Sequence, residues 1–216
     1  MGDRPVGERG PAFQRFETLA PGASREEYFA ALRAAIAEHY LAEPGNPYRE
    51  SGRSSGEARW EETRRCLAEP VDRDGHFMDV GCANGLLLET LMRWCLEKGI
   101  AVAPHGIDFV PELVELARAR HPAHAESFAV GNVWDWQPRR RYDYVRLSVE
   151  IVRAEDRAEL VRRVTERALA PGGRLIATHY RNEGEERIDV AELLERVGHR
   201  VAGTGRAPGV ELAWTR

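Results

Sequence analysis

The segment DVGCANG, residues 79–85, places an acidic side chain two residues before the first of two closely spaced glycines. The apolar residues before it predict the end of a strand, and the leucine-rich run after it predicts a helix. Glycines at such a corner let the backbone turn sharply and approach a ligand closely. Asp79 stands where a dinucleotide would place its pyrophosphate, so we expect the corner to repel a phosphate and to favour a cationic ligand.

Side chains suited to a nucleoside follow the next two predicted strands. Asp108 ends the second strand, where an acid can accept two hydrogen bonds from ribose hydroxyls. Phe109, the next residue, is then placed to lie against an adenine face. After the third strand, Asn132 and the backbone of Val133 are offered to an adenine edge, with Trp134 as an apolar wall. These residue types predict a nucleoside site at the carboxyl edge of a sheet.

Polar side chains also follow the fourth and fifth predicted strands. Ser148 and Glu150 come at the end of YDYVRLS and just after it, while His179 and Tyr180 end RLIATHY. Ligands of an open α/β sheet bind outside the carboxyl ends of its strands, near the point where the strand order reverses. We therefore expect these four side chains to face the space in which a reaction would occur.

From residue 76 onward, strand patterns and helix patterns alternate, which predicts a doubly wound and mostly parallel α/β sheet. The chain ends differently, with two strand patterns joined by a Gly/Pro turn, so the last strand should be antiparallel. The total is about seven strands. The predicted strand runs are HFMDV, VAPHGIDF, SFAV, YDYVRLS, RLIATHY, HRVAGTGRA and GVELAWT.

The N-terminal third predicts a helical cap. Residues 1–24 carry turn formers and are expected to be a mobile lead-in, whereas residues 25–75 form two helices joined by a long Gly/Ser/Pro loop. Loops this long inside a domain are typically lids or disordered segments. We expect the loop at 44–56 to fold over the ligand, and residues 76–216 to form the ligand-binding domain. The residues assigned to the lid or substrate are Tyr48, Ser51, Arg53, Trp60 and Tyr180.

Taken as a set, these features resemble the class I S-adenosylmethionine-dependent methyltransferases. The resemblance rests on DVGCANG, Asp108 in its context, GNVWDW and the APGGRLI turn, and it spans residues 76–216. It implies a Rossmann-like sheet ordered 3-2-1-4-5-7-6 with strand 7 antiparallel. It also implies that S-adenosylmethionine binds with its amino-acid end at the corner and its ribose at Asp108, leaving S-adenosylhomocysteine as product. The residues assigned to the cofactor are Asp79, Gly81, Cys82, Ala83, Asn84, Gly85, Asp108, Phe109, Asn132, Val133, Trp134 and Ser148.

Two positions depart from the family pattern. The family usually has glycine in the middle of its corner, where this chain has Ala83. It often has aspartate after the third strand to accept a hydrogen bond from the adenine amine, where this chain has Asn132. The side-chain carbonyl of asparagine can accept the same bond, with Asp135 as the alternative.

The resemblance implies methyl transfer to an O or N atom of a small-molecule acceptor, in a reaction of bacterial secondary metabolism. A hydroxyl or protonated amine would need a base, and His179 is the first candidate because histidine is partly neutral at pH 7. Glu150 and His39 follow. The alternatives left open are a NAD(P)-dependent oxidoreductase and a non-catalytic partner subunit that binds S-adenosylmethionine.

Composition narrows the remaining classes. A net charge of −4 disfavours a nucleic-acid partner, and the three cysteines have no zinc-ligand spacing, so no metal is expected. His121 and His124 in HPAH follow a predicted helix and are expected to lie in a solvated turn. No stretch approaches the length of a membrane span and no signal peptide is visible, so we expect a cytoplasmic monomer or homodimer.

Overall fold

Seven strands form one sheet in the order β3-β2-β1-β4-β5-β7-β6. The structure is a computed structural model that describes residues 11–12, 15, 18–19, 22–52, 56–181 and 187–216. The strands are β1 Gly75–Val80, β2 Val102–Asp108, β3 Phe128–Val130, β4 Tyr142–Ser148, β5 Leu169–Tyr180, β6 Val201–Ala207 and β7 Val210–Thr215.

Six α-helices accompany the sheet in the described ranges. They are α1 Arg25–Tyr40, α2 Gly56–Arg64, α3 Leu86–Leu96, α4 Pro111–Arg120, α5 Arg157–Ala168 and α6 Val190–Arg196. Short 3-10 turns occupy Arg65–Ala68, Pro122–Ser127, Val149–Ile151 and Ala154–Asp156. None of the helices described is long and apolar enough to cross a membrane.

The sheet topology confirms the predicted fold. Strands β1 to β5 run parallel, while β7 lies antiparallel between β5 and β6. The strand order reverses at β1 and β4, which pair directly with Asp79 opposite Arg146. Because the strands that follow β1 and β4 in the chain lie on opposite sides of this pair, the carboxyl ends of β1 and β4 flank the position where ligands bind in such sheets.

Alternation along the strands gives the sheet two apolar faces. Met78 and Val80 pack on one face with α1, α5 and α6, whereas Phe77 packs on the other with α2, α3 and α4. The predicted N-terminal cap is therefore divided, with α1 and α2 on opposite faces. The connection between these two helices crosses from one face of the sheet to the other over the carboxyl ends of the strands, where ligands bind.

Helix α1 begins where the sequence predicts. Ser24 accepts a hydrogen bond from the backbone N–H of Glu27, and the Glu27 carboxylate accepts one from the Ser24 N–H, which completes a capping box. Phe29 and Leu32 are then buried against the sheet. Most of the predicted lead-in at 1–24 lies outside the described residues, although the N–H of Ala12 donates to Glu38 of α1.

Candidate active site

A cavity of about 260 Å³ opens at the carboxyl ends of the strands that flank the point of reversal. Helices α1 and α2 and the connection between them cover the cavity on the side away from the strand ends. Most of the side chains singled out from the sequence meet in this cavity. Those that line it are Ser51, Trp60, Asp79, Gly81, Cys82, Ala83, Asp108, Phe109, Asn132, Val133, Ser148, Glu150 and Tyr180.

The corner after β1 is built on left-handed backbone conformations. Gly81 has φ 83°, and a Cβ placed there would meet no atom within 4 Å, so glycine is needed for its conformation and leaves the backbone open to the cavity. Ala83 has φ 46° and is the only residue besides glycine with positive φ in the part of the chain described. The departure from the family pattern therefore carries a conformational cost, because L-residues disfavour this region.

Asp108 ties the corner to the end of β2. Its Oδ2 accepts the N–H of Ala83 at 2.9 Å, and its Oδ1 accepts the N–H of Val110 at 3.0 Å. Burial raises the pKa of Asp108 to about 6, against the backbone donors that favour the charged form. The carboxylate is thus fixed at the cavity wall, in the place expected for binding ribose hydroxyls.

Asp79 is already paired within the protein. Its Oδ1 accepts a hydrogen bond of 2.8 Å from Nη1 of Arg146, and the two side chains are 1% and 4% exposed. Burial raises the pKa of Asp79 despite the neighbouring guanidinium. Asp79 therefore has a cationic partner within the protein, Arg146 of the neighbouring strand β4, and nothing at Asp79 in the sequence signals this.

Asn84 connects the corner to the predicted lid. Its Nδ2 donates to the carbonyl oxygen of Pro47 at 2.8 Å and lies 3.3 Å from a carboxylate oxygen of Glu50. Its Oδ1 accepts the N–H of Leu86 at the start of α3. Asn84 is fully buried and does not line the cavity. Its contacts hold residues 44–52 against the cofactor corner.

The wall formed by β4 and β5 carries polar atoms without partners. The Nε of Arg146, the Oε2 of Glu150 and the hydroxyl of Tyr180 are all buried and make no hydrogen bond among the described residues. Buried polar groups are normally satisfied, and those left over in a cavity indicate where a ligand binds. Burial raises the pKa of Glu150 to about 7, against its own backbone N–H and Arg146. A carboxyl group in this state can take up or release a proton near neutral pH.

Two predicted bases lie elsewhere. Successive side chains of β5 point to opposite faces of the sheet, so His179 lies on the face opposite to Thr178 and Tyr180. Thr178 contacts Ser148 of β4 and Tyr180 lines the cavity, whereas His179 does not line it. Its Nδ1 instead accepts the N–H of Ile188, at 3.2 Å. His39 is exposed on α1 and does not line the cavity either.

Three further predicted residues act outside the cavity. Trp134 packs in the core beneath α1 with the guanidinium of Arg25 over its ring at 3.8 Å, so it does not form the apolar wall of the cavity that we expected. Gly85 begins α3 with φ 75°. Tyr48 packs edge-on against Trp60 and lines a second surface hollow of about 300 Å³. Arg53, assigned to the lid, lies outside the described residues.

Several cavity residues had no signal in the sequence. Tyr40 at the end of α1 lines the cavity, its hydroxyl lies against Gly52, and burial raises its pKa to about 12. Arg64 of α2 lines the cavity with its guanidinium 3.9 Å from the ring of Tyr180. Both belong to helices whose periodicity indicates packing, so only the fold brings them to a site.

Of the two histidines of HPAH, His124 is part-exposed in the 3-10 turn Pro122–Ser127, whereas His121 does not lie in the solvated turn that we expected. His121 is 6% exposed, and its Nε2 lies 3.0 Å from the carbonyl oxygen of Gly85, which supports the corner from behind. Within the described ranges, no group of three or more His, Cys, Asp or Glu side chains is arranged to hold a metal ion.

Comparisons with known proteins agree with this geometry. Residues 77–173 match the family model described as a methyltransferase domain. No curated protein is significantly similar to the chain in sequence. Solved structures with the same fold include the Burkholderia thailandensis 1,6-didemethyltoxoflavin-N1-methyltransferase with bound 1,6-didemethyltoxoflavin and S-adenosylhomocysteine. It has a TM-score of 0.64 and 18% identity, over 91% of this chain and 92% of that one.

Two other solved structures share the fold. DhpI in its SAM-HEP complex has a TM-score of 0.59 and 20% identity, over 90% of this chain and 99% of that one. An O-methyltransferase family 2 protein from Planctomyces limnophilus, in complex with apigenin, has a TM-score of 0.59 and 13% identity, over 95% of this chain and 64% of that one. At these identities the likeness concerns the fold.

The cavity of this chain fits S-adenosylmethionine on its own residues. Asp108 presents a carboxylate at the end of β2, Phe109 and Val133 supply apolar surface beside it, and Gly81 leaves the corner backbone open. The matched methyltransferase domain contains the corner, Asp108 and the wall of β4. With the predicted strand order also present, residues 77–173 form a methyltransferase domain within the sheet order of the class I S-adenosylmethionine-dependent methyltransferases.

Proposed function

We propose that this enzyme methylates an O or N atom of a small-molecule acceptor, as part of bacterial secondary metabolism, and that Glu150 is its general base. The observation that carries the proposal is the buried carboxyl of Glu150, which lines the cavity with Oε2 unpartnered. A cavity of about 260 Å³ suits a small ligand. The toxoflavin-type and apigenin ligands of the similar structures support this class of acceptor.

Position and protonation favour Glu150 over the other candidate bases. It lies in the 3-10 turn Val149–Ile151 directly after β4, beside Arg146 and Ser148, at the point of strand reversal. His179 and His39 do not line the cavity. A base is most effective when its pKa is close to the working pH, and burial brings the pKa of Glu150 to about 7.

The chemistry follows from this arrangement. When bound, S-adenosylmethionine supplies a methyl carbon made electrophilic by the adjacent sulfonium. Glu150 would take the proton of the acceptor hydroxyl or amine, and the freed lone pair would form the bond to the methyl carbon that replaces its bond to sulfur. Trp60 and Tyr40 close the cavity from the side of the cap and exclude water. Orientation of the acceptor in line with that bond is the main contribution of the cavity walls.

The test is methyl transfer from radiolabelled S-adenosylmethionine to a panel of phenols, nitrogen heterocycles and carboxylic acids. With an acceptor in hand, Glu150→Gln should lower kcat by about 100-fold or more and leave KM nearly unchanged, the usual effect of removing a general base. The wild-type rate should rise with pH through about 7, as Glu150 loses its proton, and the variant should lack this rise.

Glu155→Gln is the matched control, because it makes the same change at an exposed carboxylate five residues away. It should retain full activity. A Glu150→Gln enzyme with unchanged kcat and unchanged pH profile would contradict the role of Glu150. Binding of S-adenosylmethionine without transfer to any acceptor would favour the non-catalytic partner subunit.

A further inference from the structure

Arg146 occupies a place in the sheet where an apolar residue is the ordinary choice. It lies in the middle of β4, which is paired on both sides by β1 and β5, and only 4% of it is exposed. Burying a guanidinium costs several kcal/mol unless the charge is paired, and replacing a buried ion pair with apolar residues is often neutral or stabilising. The Asp79–Arg146 pair is therefore weakly explained by stability, which points to a role in the cavity that both residues line.

One nitrogen of the Arg146 guanidinium makes no hydrogen bond. Its Nη1 donates to Asp79 and its Nη2 to the hydroxyl of Ser148, while its Nε is buried and has no acceptor. The planar guanidinium is thus held in one orientation by two neighbours. A fixed fork of this kind suits carboxylate-like groups, which it recognises by geometry as well as charge.

A second unpaired donor lies on the same wall. The ring of Tyr180 is 5.1 Å from the guanidinium carbon of Arg146, and its hydroxyl is buried without a partner. This wall of the cavity therefore offers two donors, and the ligand that satisfies them has to supply oxygen lone pairs.

We propose that Arg146, together with Tyr180, selects an acceptor that carries an anionic oxygen group, either a carboxylate or a phosphonate. This inference rests on the proposed function, because it names the class of small molecule that the same site methylates. An anionic group here accepts a hydrogen bond from the Arg146 Nε, which Asp79 and Ser148 leave without a partner. It would also be attracted by the positive charge that S-adenosylmethionine would bring to the same cavity.

The test compares benzoate with benzamide, two probes of nearly equal shape that differ in charge. Their dissociation constants are measured by calorimetry on the full chain loaded with S-adenosylhomocysteine. Benzoate should bind wild type at least tenfold more tightly than benzamide. In Arg146→Gln the ratio should fall to about one, because glutamine can still donate to Asp79 but carries no charge. Phenylphosphonate in a third arm shows which anion geometry the site prefers.

Two further variants make the result interpretable. Asp79→Asn combined with Arg146→Gln removes both charges, so the ratio can be measured even if the single variant folds poorly. Arg196→Gln makes the same change at an exposed arginine of α6 that does not line the cavity, and it should keep the wild-type ratio. Because the ratio is internal to each variant, a general loosening of the site affects both probes and leaves it unchanged.

The outcomes separate the two proposals. Equal binding of benzoate and benzamide by wild type, or a tenfold ratio that survives loss of Arg146, would overturn the selection of an anion. Neither probe needs turnover, so the ratio is informative whether or not an acceptor has been found. Failure of methyl transfer across the whole acceptor panel would count against the proposed function alone.

Discussion

The contact between Asn84 and the connection over the cavity allows the lid to be tested directly. Asn84→Asp keeps the size of the side chain and the oxygen that accepts from Leu86, but replaces the Nδ2 donor with an oxygen. That donor serves the carbonyl of Pro47 at 2.8 Å and the carboxylate of Glu50 at 3.3 Å. A neutral hydrogen bond contributes about 1 kcal/mol and one to a carboxylate about 2 kcal/mol, so the attachment should weaken by about 3 kcal/mol.

A change of about 3 kcal/mol corresponds to roughly a hundredfold shift in the equilibrium between the attached and detached connection. Hydrogen exchange followed by mass spectrometry measures this shift at the N–H groups of Gly45, Glu50 and Gly52, which are bonded within the connection. Their exchange should accelerate by about that factor in Asn84→Asp, and the affinity for S-adenosylhomocysteine should fall with it.

Asn46→Asp is the matched control, since it makes the same change at a side chain of the connection that donates only to the exposed Glu43. It should leave exchange at the connection nearly unaltered. If Asn84→Asp also exchanges at the wild-type rate, the attachment does not hold the connection in place. If exchange accelerates while cofactor affinity stays constant, the connection is not a lid.

Two predictions concern stability. Burial and the nearby ring of His76 lower the pKa of His105 to about 4, below its unfolded value of 6.5. The contribution of His105 to the free energy of unfolding is therefore fully present above pH 6.5, and it is lost as the pH falls toward 4 because the unfolded state takes up the proton first. Because His105 is partly exposed, we expect only part of the full effect. Between pH 7 and pH 5 the free energy of unfolding of wild type, measured with urea, should fall by about 1 kcal/mol more than that of His105→Gln, and equal losses in the two proteins would contradict this. At Ala83, glycine relieves the left-handed strain but removes a methyl group, so Ala83→Gly should change the melting temperature by less than about 3 °C. Ala83→Val should lower it well beyond that, because a β-branched residue fits φ 46° poorly, and similar melting temperatures for both variants would refute the argument from strain.

Local patterns were sufficient for the fold and for the cofactor side of the site. Strand and helix periodicities and the terminal hairpin predicted a mostly parallel sheet of about seven strands with an antiparallel last strand, because each depends on residues close together in the chain. The order of the strands came from the resemblance to the methyltransferases. Asp108 followed from the rule that ligands bind at the carboxyl ends of strands. These inferences needed no knowledge of which distant side chains meet.

The acceptor side depended on the tertiary structure. Alternation along β5 sends His179 and Tyr180 to opposite faces, but the sequence does not say which face meets the cavity. Arg146 looks like an interruption in an apolar strand until β1 places Asp79 opposite it. Trp134 turned to the core for a similar reason, since α1 supplies the surface that covers it.

The residue patterns predicted the sheet, the corner and the carboxylate expected to hold the cofactor. The pairing of Asp79, the exposure of Glu150 to the cavity and the attachment of the connection by Asn84 became visible in the folded chain. These two groups of features depend on residues at different distances along the sequence. Backbone conformation and amphipathic pattern are encoded within a few residues, whereas burial, ion pairing and the raised pKa of Glu150 depend on side chains brought together across the fold.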